Sequence, residues 1–258
     1  MRKMLPALAL LPLALFAGQA LADECLHSEP RNLQLDLTGI KSVLFDIGPH
    51  ELVVNAAPGA KGAIQGKACA SDPDRLKGLT VTQRREGDRL VVTAERESVL
   101  QISFGGSHYG YLVLNASVPD NLLVHLKVGS GDARVTGASA LSADVGSGEV
   151  EARNIRGQVT AEVNSGEIEL DTIGSLHVLS VGSGDLKARR VKGGAVIGSI
   201  GSGAAKLRDI GGDVSADKIG SGDLDANNVA GNLTVRKVGS GSVDHSDVRG
   251  RVDVPQDD

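Results

Sequence analysis

Two side-chain types that could do chemistry, a serine and a carboxylate, recur at a fixed interval through the C-terminal half of the sequence. The serines lie at the centres of seven tripeptides: Gly129-Ser130-Gly131, Gly146-Ser147-Gly148, Asn164-Ser165-Gly166, Gly182-Ser183-Gly184, Gly201-Ser202-Gly203, Gly220-Ser221-Gly222 and Gly239-Ser240-Gly241. Successive serines are 17, 18, 18, 19, 19 and 19 residues apart. A nucleophilic serine needs a base held against it. His27, His50, His108, His125, His177 and His245 are scattered and keep no step with the serines. Seven equivalent serines without a base column are structural, and no catalytic residue is expected among them.

The carboxylates follow each tripeptide directly, at Asp132, Glu149, Glu167, Asp185 and Asp223, with Ala204 and Ser242 as the exceptions. Hard oxygen donors beside glycine turns suggest calcium, but calcium-binding rolls carry aspartate on both sides of the coil. The opposite corners here read Ile155-Arg156-Gly157, Ile210-Gly211-Gly212 and Val248-Arg249-Gly250, so half the ligand set is missing. Carboxylates about 4.8 Å apart in water repel by only about 1 kcal/mol. A solvated column therefore needs no metal, the histidines lack ligand spacing, and no cofactor is expected.

A third group is not repeated. Phe104, His108, Tyr109 and Tyr111 surround Gly105-Gly106-Ser107, and aromatics beside an adaptable glycine turn make a candidate binding spot for sugar or protein. The same aromatics could instead pack over the first coil as a cap. Outward positions of the repeats, from Arg134, Glu151, Glu169, Lys187, Lys206, Asp225 and Asp244 to Arg153, Arg189 and Arg208, mix signs, as a soluble sheet face does. An enzyme that processes polysaccharide on such a scaffold is the alternative reading. It needs a cleft built by long loops, and units that differ by two residues at most leave no room for one.

The elements that must carry these residues follow from the period. Each unit reads approximately Gly-Ser-Gly-acid-Leu-x-Ala-x-x-Val-x-Gly-x-Val-x-Val-x-x-Val, as in Gly220 to Val238. Apolar and polar residues alternate two by two, which means strand. No unit can bury its apolar side alone, so the units stack. The expectation is an all-β, single-stranded parallel β-helix of about seven coils of 17–19 residues, right-handed, over residues 127–254. The corners, glycine except at Asn164, are expected to need positive φ, which asparagine tolerates better than most residues.

The rest of the chain delivers and closes that stack. Arg2 and Lys3 precede an apolar run from Met4 to Phe16, and Ala20-Leu21-Ala22 meets Asp23, which reads as a cleaved export signal over residues 1–22. Glu24 before Cys25 argues against lipoprotein processing. Loss of the leader leaves 25 basic against 32 acidic residues, a formal charge of −7, which disfavours nucleic acid and anionic membrane as partners. No stable membrane insertion is expected. Cys25 and Cys69, the only cysteines, are expected to pair outside the cytoplasm. Short alternating runs at 42–47, 51–56, 63–68, 79–83 with 89–93, 111–118 and 122–128 make residues 23–126 an irregular β cap with the first coils. Residues 255–258, with Pro255 and two terminal aspartates, are suited to stop further pairing.

With Val118-Pro119-Asp120 bending into a run of Gly-Ser-Gly-Asp corners, the chain resembles the bacterial putative-adhesin β-strand-repeat family, which is similar to head-GIN-domain proteins. The similarity is strongest from Leu112 onward. It implies a parallel β-helix of the cell envelope with a structural or adhesin-like role, some members being linked to envelope stress, and it supplies no catalytic motif. The expected function is an exported, non-enzymatic solenoid, periplasmic or at the surface, that binds an envelope protein or glycan.

Overall fold

The computed structural model describes residues 25–97 and 108–255, so the leader, Phe104 and the terminal aspartates lie outside the described residues. The described residues are nearly all β, with one short helix among them, Pro73–Lys77. The strands form two parallel ladders, and each coil adds one rung to each. The first ladder stacks Glu51–Ala57, Asp132–Thr136, the leading halves of Glu149–Val163 and Glu167–Val181, then Asp185–Val191, Ala204–Ile210, Asp223–Val229 and Ser242–Val248. The second stacks Ser42–Gly48, Leu123–Val128, Ala140–Val145, the trailing halves of the same two long strands, Ala195–Ile200, Val214–Ile219, Leu233–Val235 and Val252–Asp253. Asp132, Glu149, Glu167, Asp185, Ala204, Asp223 and Ser242 are partners in register. The sequence repeat is therefore one rise of a β-solenoid.

Alternate residues turn inward and meet their equivalents one coil away. Val150, Ile168, Leu186, Ala205 and Leu224 form one buried column, and Ala152, Leu170, Ala188, Leu207 and Ala226 form the next. In the second column small and large side chains alternate, which fills a narrow interior without strain. Burying one Leu or Ile stabilises by about 1.5–3 kcal/mol, spread evenly along the stack. The one buried aromatic among the described residues, Phe45, lies at the N-terminal end.

The corners are glycine for a different reason from the one expected. None of the glycines of the seven tripeptides has positive φ. Instead, each corner lies against the backbone of the corner below: Ser147 N donates to Gly129 O at 2.7 Å, and Gly148 N to the same oxygen at 3.1 Å. A Cβ on Gly131, Gly148, Gly166, Gly184, Gly203, Gly222 or Gly241 would lie 1.8–2.1 Å from a carbonyl oxygen. On the first glycines, Gly129, Gly146, Gly182, Gly201, Gly220 and Gly239, it would lie 2.6–3.0 Å away. Asn164 occupies a place of the looser kind, which is why the exception falls there. Positive φ occurs six residues after each third glycine, at Gly137 with 83° and at six non-glycine residues, Asn154, Thr172, Arg190, Asp209, Asn228 and Asp247, with values of 53–59°. There the strand bends and one pair drops out of the ladder while the register is kept, as between Arg153↔Asp171 and Ile155↔Ile173. Four of the six are Asn or Asp, the side chains that best tolerate this region.

Both ladders change character at the N-terminal end. Gly110–Pro119 runs parallel to Glu51–Ala57 and antiparallel to Ala63–Ala70, which in turn pairs antiparallel with His27–Pro30 and Leu33–Gln34. In the second ladder Arg89–Arg96 lies parallel to Ser42–Gly48 and forms an antiparallel hairpin with Leu79–Glu86. The helix joins these two covers, its first turn capped by Asp72 Oδ1 accepting from Arg75 N at 3.1 Å. Antiparallel strands here close an edge that would otherwise template further pairing.

Candidate functional site

The outward side of the first ladder carries the repeated polar residues. Next to the corners, Glu51, Asp132, Glu149, Glu167 and Asp185 follow one another in register on five successive coils. No three His, Cys, Asp or Glu side chains among the described residues are grouped to hold a metal ion. The serines line the neighbouring edge, where Ser240 Oγ donates to Ser221 Oγ at 3.1 Å.

Further along each strand the mixed charges pair between coils. Arg134 Nε lies 2.9 Å from Glu151 Oε2, and Arg153 also pairs with Glu151. Lys187 contacts Glu167 and lies 3.5 Å from Glu169, and the hydrogen bond to Glu167 leads in raising its pKa. Arg189 Nη2 lies 2.9 Å from Asp171 Oδ2, with Arg190 on the other carboxylate oxygen. Burial alone pushes the Asp171 carboxyl up, but the Thr172 hydroxyl and the two guanidiniums together hold it below the usual carboxylate range. These carboxylates are ion-paired. Each such exposed pair contributes about 0–1 kcal/mol, so the lattice shapes the surface more than it stabilises the fold.

The lattice breaks at Ala204–Ile210. The residue after the corner is Ala204, and Lys206 and Arg208 stand in register above Lys187 and Arg189. Both are exposed, and no carboxylate lies within 4.0 Å of either among the described residues. Asp225, above Lys206, accepts from the Asn227 amide instead. A shallow groove of about 220 Å³ crosses this part of the face.

Of the aromatic segment, Tyr109 and Tyr111 lie in the capped end. Tyr109 Oη accepts from Leu26 N at 3.1 Å, and Tyr109 O accepts from Ser71 N at 3.0 Å. Tyr111 is in register with Cys69, and the two rings lie 6.0 Å apart. Cys25 and Cys69 are bonded, with Cα atoms 5.4 Å apart. His108 is exposed beside them. The tyrosines thus border the joint that holds the first strand. Arg31 adds to it, with Nη2 donating to Leu76 O and Nε to Leu79 O, each at 2.7 Å.

One residue has a role that spacing did not suggest. Gly48-Pro49-His50-Glu51 stacks beneath Gly129-Ser130-Gly131-Asp132 as one further corner, with His50 in the place of the third glycine. The run Glu51-Leu52-Val53-Val54 resembles the residues after every later corner, which is the signal in the sequence. Gly110–Pro119 lies below it, and Leu112 N donates to His50 Nδ1 at 3.2 Å, so the ring closes the corner column. Nε2 has no hydrogen-bond partner of good geometry among the described residues. Burial first, then the charge of Arg96, lower its pKa to about 4, against a pull upward from the Glu95 carbonyl.

The class that these features define is a single-chain parallel β-solenoid with a charge-patterned face. No family model and no curated protein matches the chain. Among solved structures it is similar to a putative lipid binding protein from Parabacteroides distasonis (16% identity, TM-score 0.43, covering 85% of this chain and 96% of that one). It is also similar to a putative adhesin from Bacteroides fragilis (12%, TM-score 0.40, 88% and 96%) and to a putative cell adhesion protein from Clostridium sporogenes (9%, TM-score 0.37, 87% and 100%).

Proposed function

We propose that this chain is an exported, non-catalytic solenoid of the cell envelope, periplasmic or at the surface, which offers the outer side of its first ladder as a rigid contact surface for an envelope protein or glycan. The observation that carries this reading is the ion-pair lattice between coils. Glu151, Glu167, Glu169 and Asp171 are each held by a lysine or arginine on their own or a neighbouring coil. Paired carboxylates of this kind order a polar surface of constant pitch, whereas acid–base catalysis needs two carboxyl groups whose environments drive their pKa values apart. The leader-like N-terminus supports export. No helix among the described residues is long and apolar enough to cross a membrane.

The test is to incubate the purified chain with isolated envelope polysaccharide, measuring retention by sedimentation and the appearance of new reducing ends. Saturable retention with no new reducing ends is expected. Steady release of reducing ends, abolished by altering a carboxylate pair, would establish the polysaccharide-processing alternative instead.

A further inference from the structure

We propose that the groove at the break in the lattice is a binding site for an acidic polysaccharide, with Lys206 and Arg208 receiving a uronate carboxylate. This deepens the binding role proposed above and rests on it. At the step from Asp185–Val191 to Ala204–Ile210 both outward columns repeat a positive charge, Lys187↔Lys206 and Arg189↔Arg208. Like charges directly opposite across strands destabilise a sheet. The lower pair is neutralised from beneath by Glu167, Glu169 and Asp171. The upper pair forms no such contact: Asp225, in register with Lys206, accepts from Asn227, and Asp209, next to Arg208 on the same strand, accepts from Asn228 Nδ2 at 2.6 Å. A local arrangement that costs stability without a structural return is what a functional site looks like.

The surroundings select the ligand. The uncompensated charge covers about one rise, roughly 4.8 Å, with Glu169 and Asp171 on one side of the stack and Asp223 and Asp225 on the other. A phosphate backbone or a lipid headgroup plane would bring further anions against those carboxylates. An acidic sugar within an otherwise neutral polymer places one carboxylate on the two cations, where the arginine fork accepts it in a bidentate manner. Its neighbouring hydroxyls then meet Asn227 and Asp225, which line the same groove.

Titration calorimetry of the full chain with a galactose oligomer carrying a single galacturonate residue (the galacturonate oligomer), a wholly neutral galactose oligomer and inorganic sulfate tests the assignment. The galacturonate oligomer is expected to bind, weakening as salt is raised, while the neutral oligomer does not and sulfate competes only at far higher concentration. The double variant Lys206→Ala/Arg208→Ala should lose at least tenfold in affinity while melting at the wild-type temperature or above it, and Arg84→Ala, on the capping hairpin away from the first ladder, should bind as wild type. Equal competition by sulfate would reduce the site to one for isolated anions and overturn the glycan assignment. So would a double variant that binds galacturonate as wild type, or a wild type that does not bind it. Retention of envelope polysaccharide by both wild type and double variant would overturn this site alone and leave the broader binding role standing. No retention by the wild type would remove both this site and the glycan part of the broader binding role.

Discussion

In the coils the chain holds itself by contacts repeated from one rise to the next, an aliphatic column inside and a glycine corner resting on the corner below, with charges paired one coil apart on several of them. At the capped end the decisive contacts are each made once, by the Cys25–Cys69 bond, the His50 ring under the first corner and Arg31 across the helix and hairpin. The difference follows from geometry. An interior coil finds a copy of itself on each side, so one solution serves throughout, whereas a terminal coil has nothing equivalent beneath it and needs bonds that end the series. The cap therefore concentrates covalent and titratable chemistry in a fold that otherwise uses almost none.

The contrast can be broken hardest inside the coils. Gly222→Val places a branched Cβ where the Gly203 carbonyl oxygen is 2.0 Å away, and backbone must shift to admit it. A loss of about 4 kcal/mol or more is expected. Gly220→Ala, 2.7 Å from the Gly201 oxygen, should cost about 1–3 kcal/mol. Denaturant midpoints compare them, and equal losses would refute the close-approach account.

Next comes the bond at the cap. It spans a sequence separation of 44, and its removal in Cys25→Ala/Cys69→Ala should cost about 3–4 kcal/mol on the chain-entropy model. Because the bond ties only the outer strand, hydrogen exchange should speed up in His27–Pro30 and Ala63–Ala70 and stay slow in Asp223–Val229. Uniform acceleration along the stack would show that cap and coils are not separable.

The third effect is pH-dependent and confined to the cap. The folded pKa of His50 lies below its unfolded value, so its contribution is complete above about pH 6.5 and is lost as pH falls toward 4. The loss should reach about 3 kcal/mol. His125, lowered by burial and then Arg89, acts in the same direction. Glutamine at position 50 can still accept from Leu112 N but cannot be charged, so His50→Gln should flatten the fall in melting temperature between pH 6.5 and 4. An unchanged slope would assign the acid sensitivity elsewhere.

The smallest effect is expected on the carboxylate column, where Asp223→Ala should change stability by less than about 0.5 kcal/mol, and a chelator should leave the melting temperature unmoved. A fall on adding EDTA, restored by calcium, would show that the column holds metal.

Much of the architecture was legible because a solenoid writes its geometry into the period. The spacings of 17 to 19 residues are the rungs of the first ladder, and alternation at Leu224 and Ala226 separates core from face. The hairpin over Arg84 to Asp88 was equally readable, from a local turn between alternating runs. What the pattern could not reveal was whatever depends on the coil below. A glycine is compatible both with positive φ and with a carbonyl oxygen 2 Å from its missing Cβ, and only the stacked backbone tells them apart. The left-handed column shows as four Asn or Asp among six residues, but its meaning requires the bend. His50 looks like any isolated histidine until Gly110–Pro119, some sixty residues later in the chain, comes to lie beneath it. Lys206 and Arg208 read as two more surface charges in a mixed series, and it took register and ion pairing together to set them apart. Period is a property of neighbours along the chain and survives in one dimension, whereas close approach, burial of a titratable ring and unmatched charge are relations between distant segments, which only the folded stack creates.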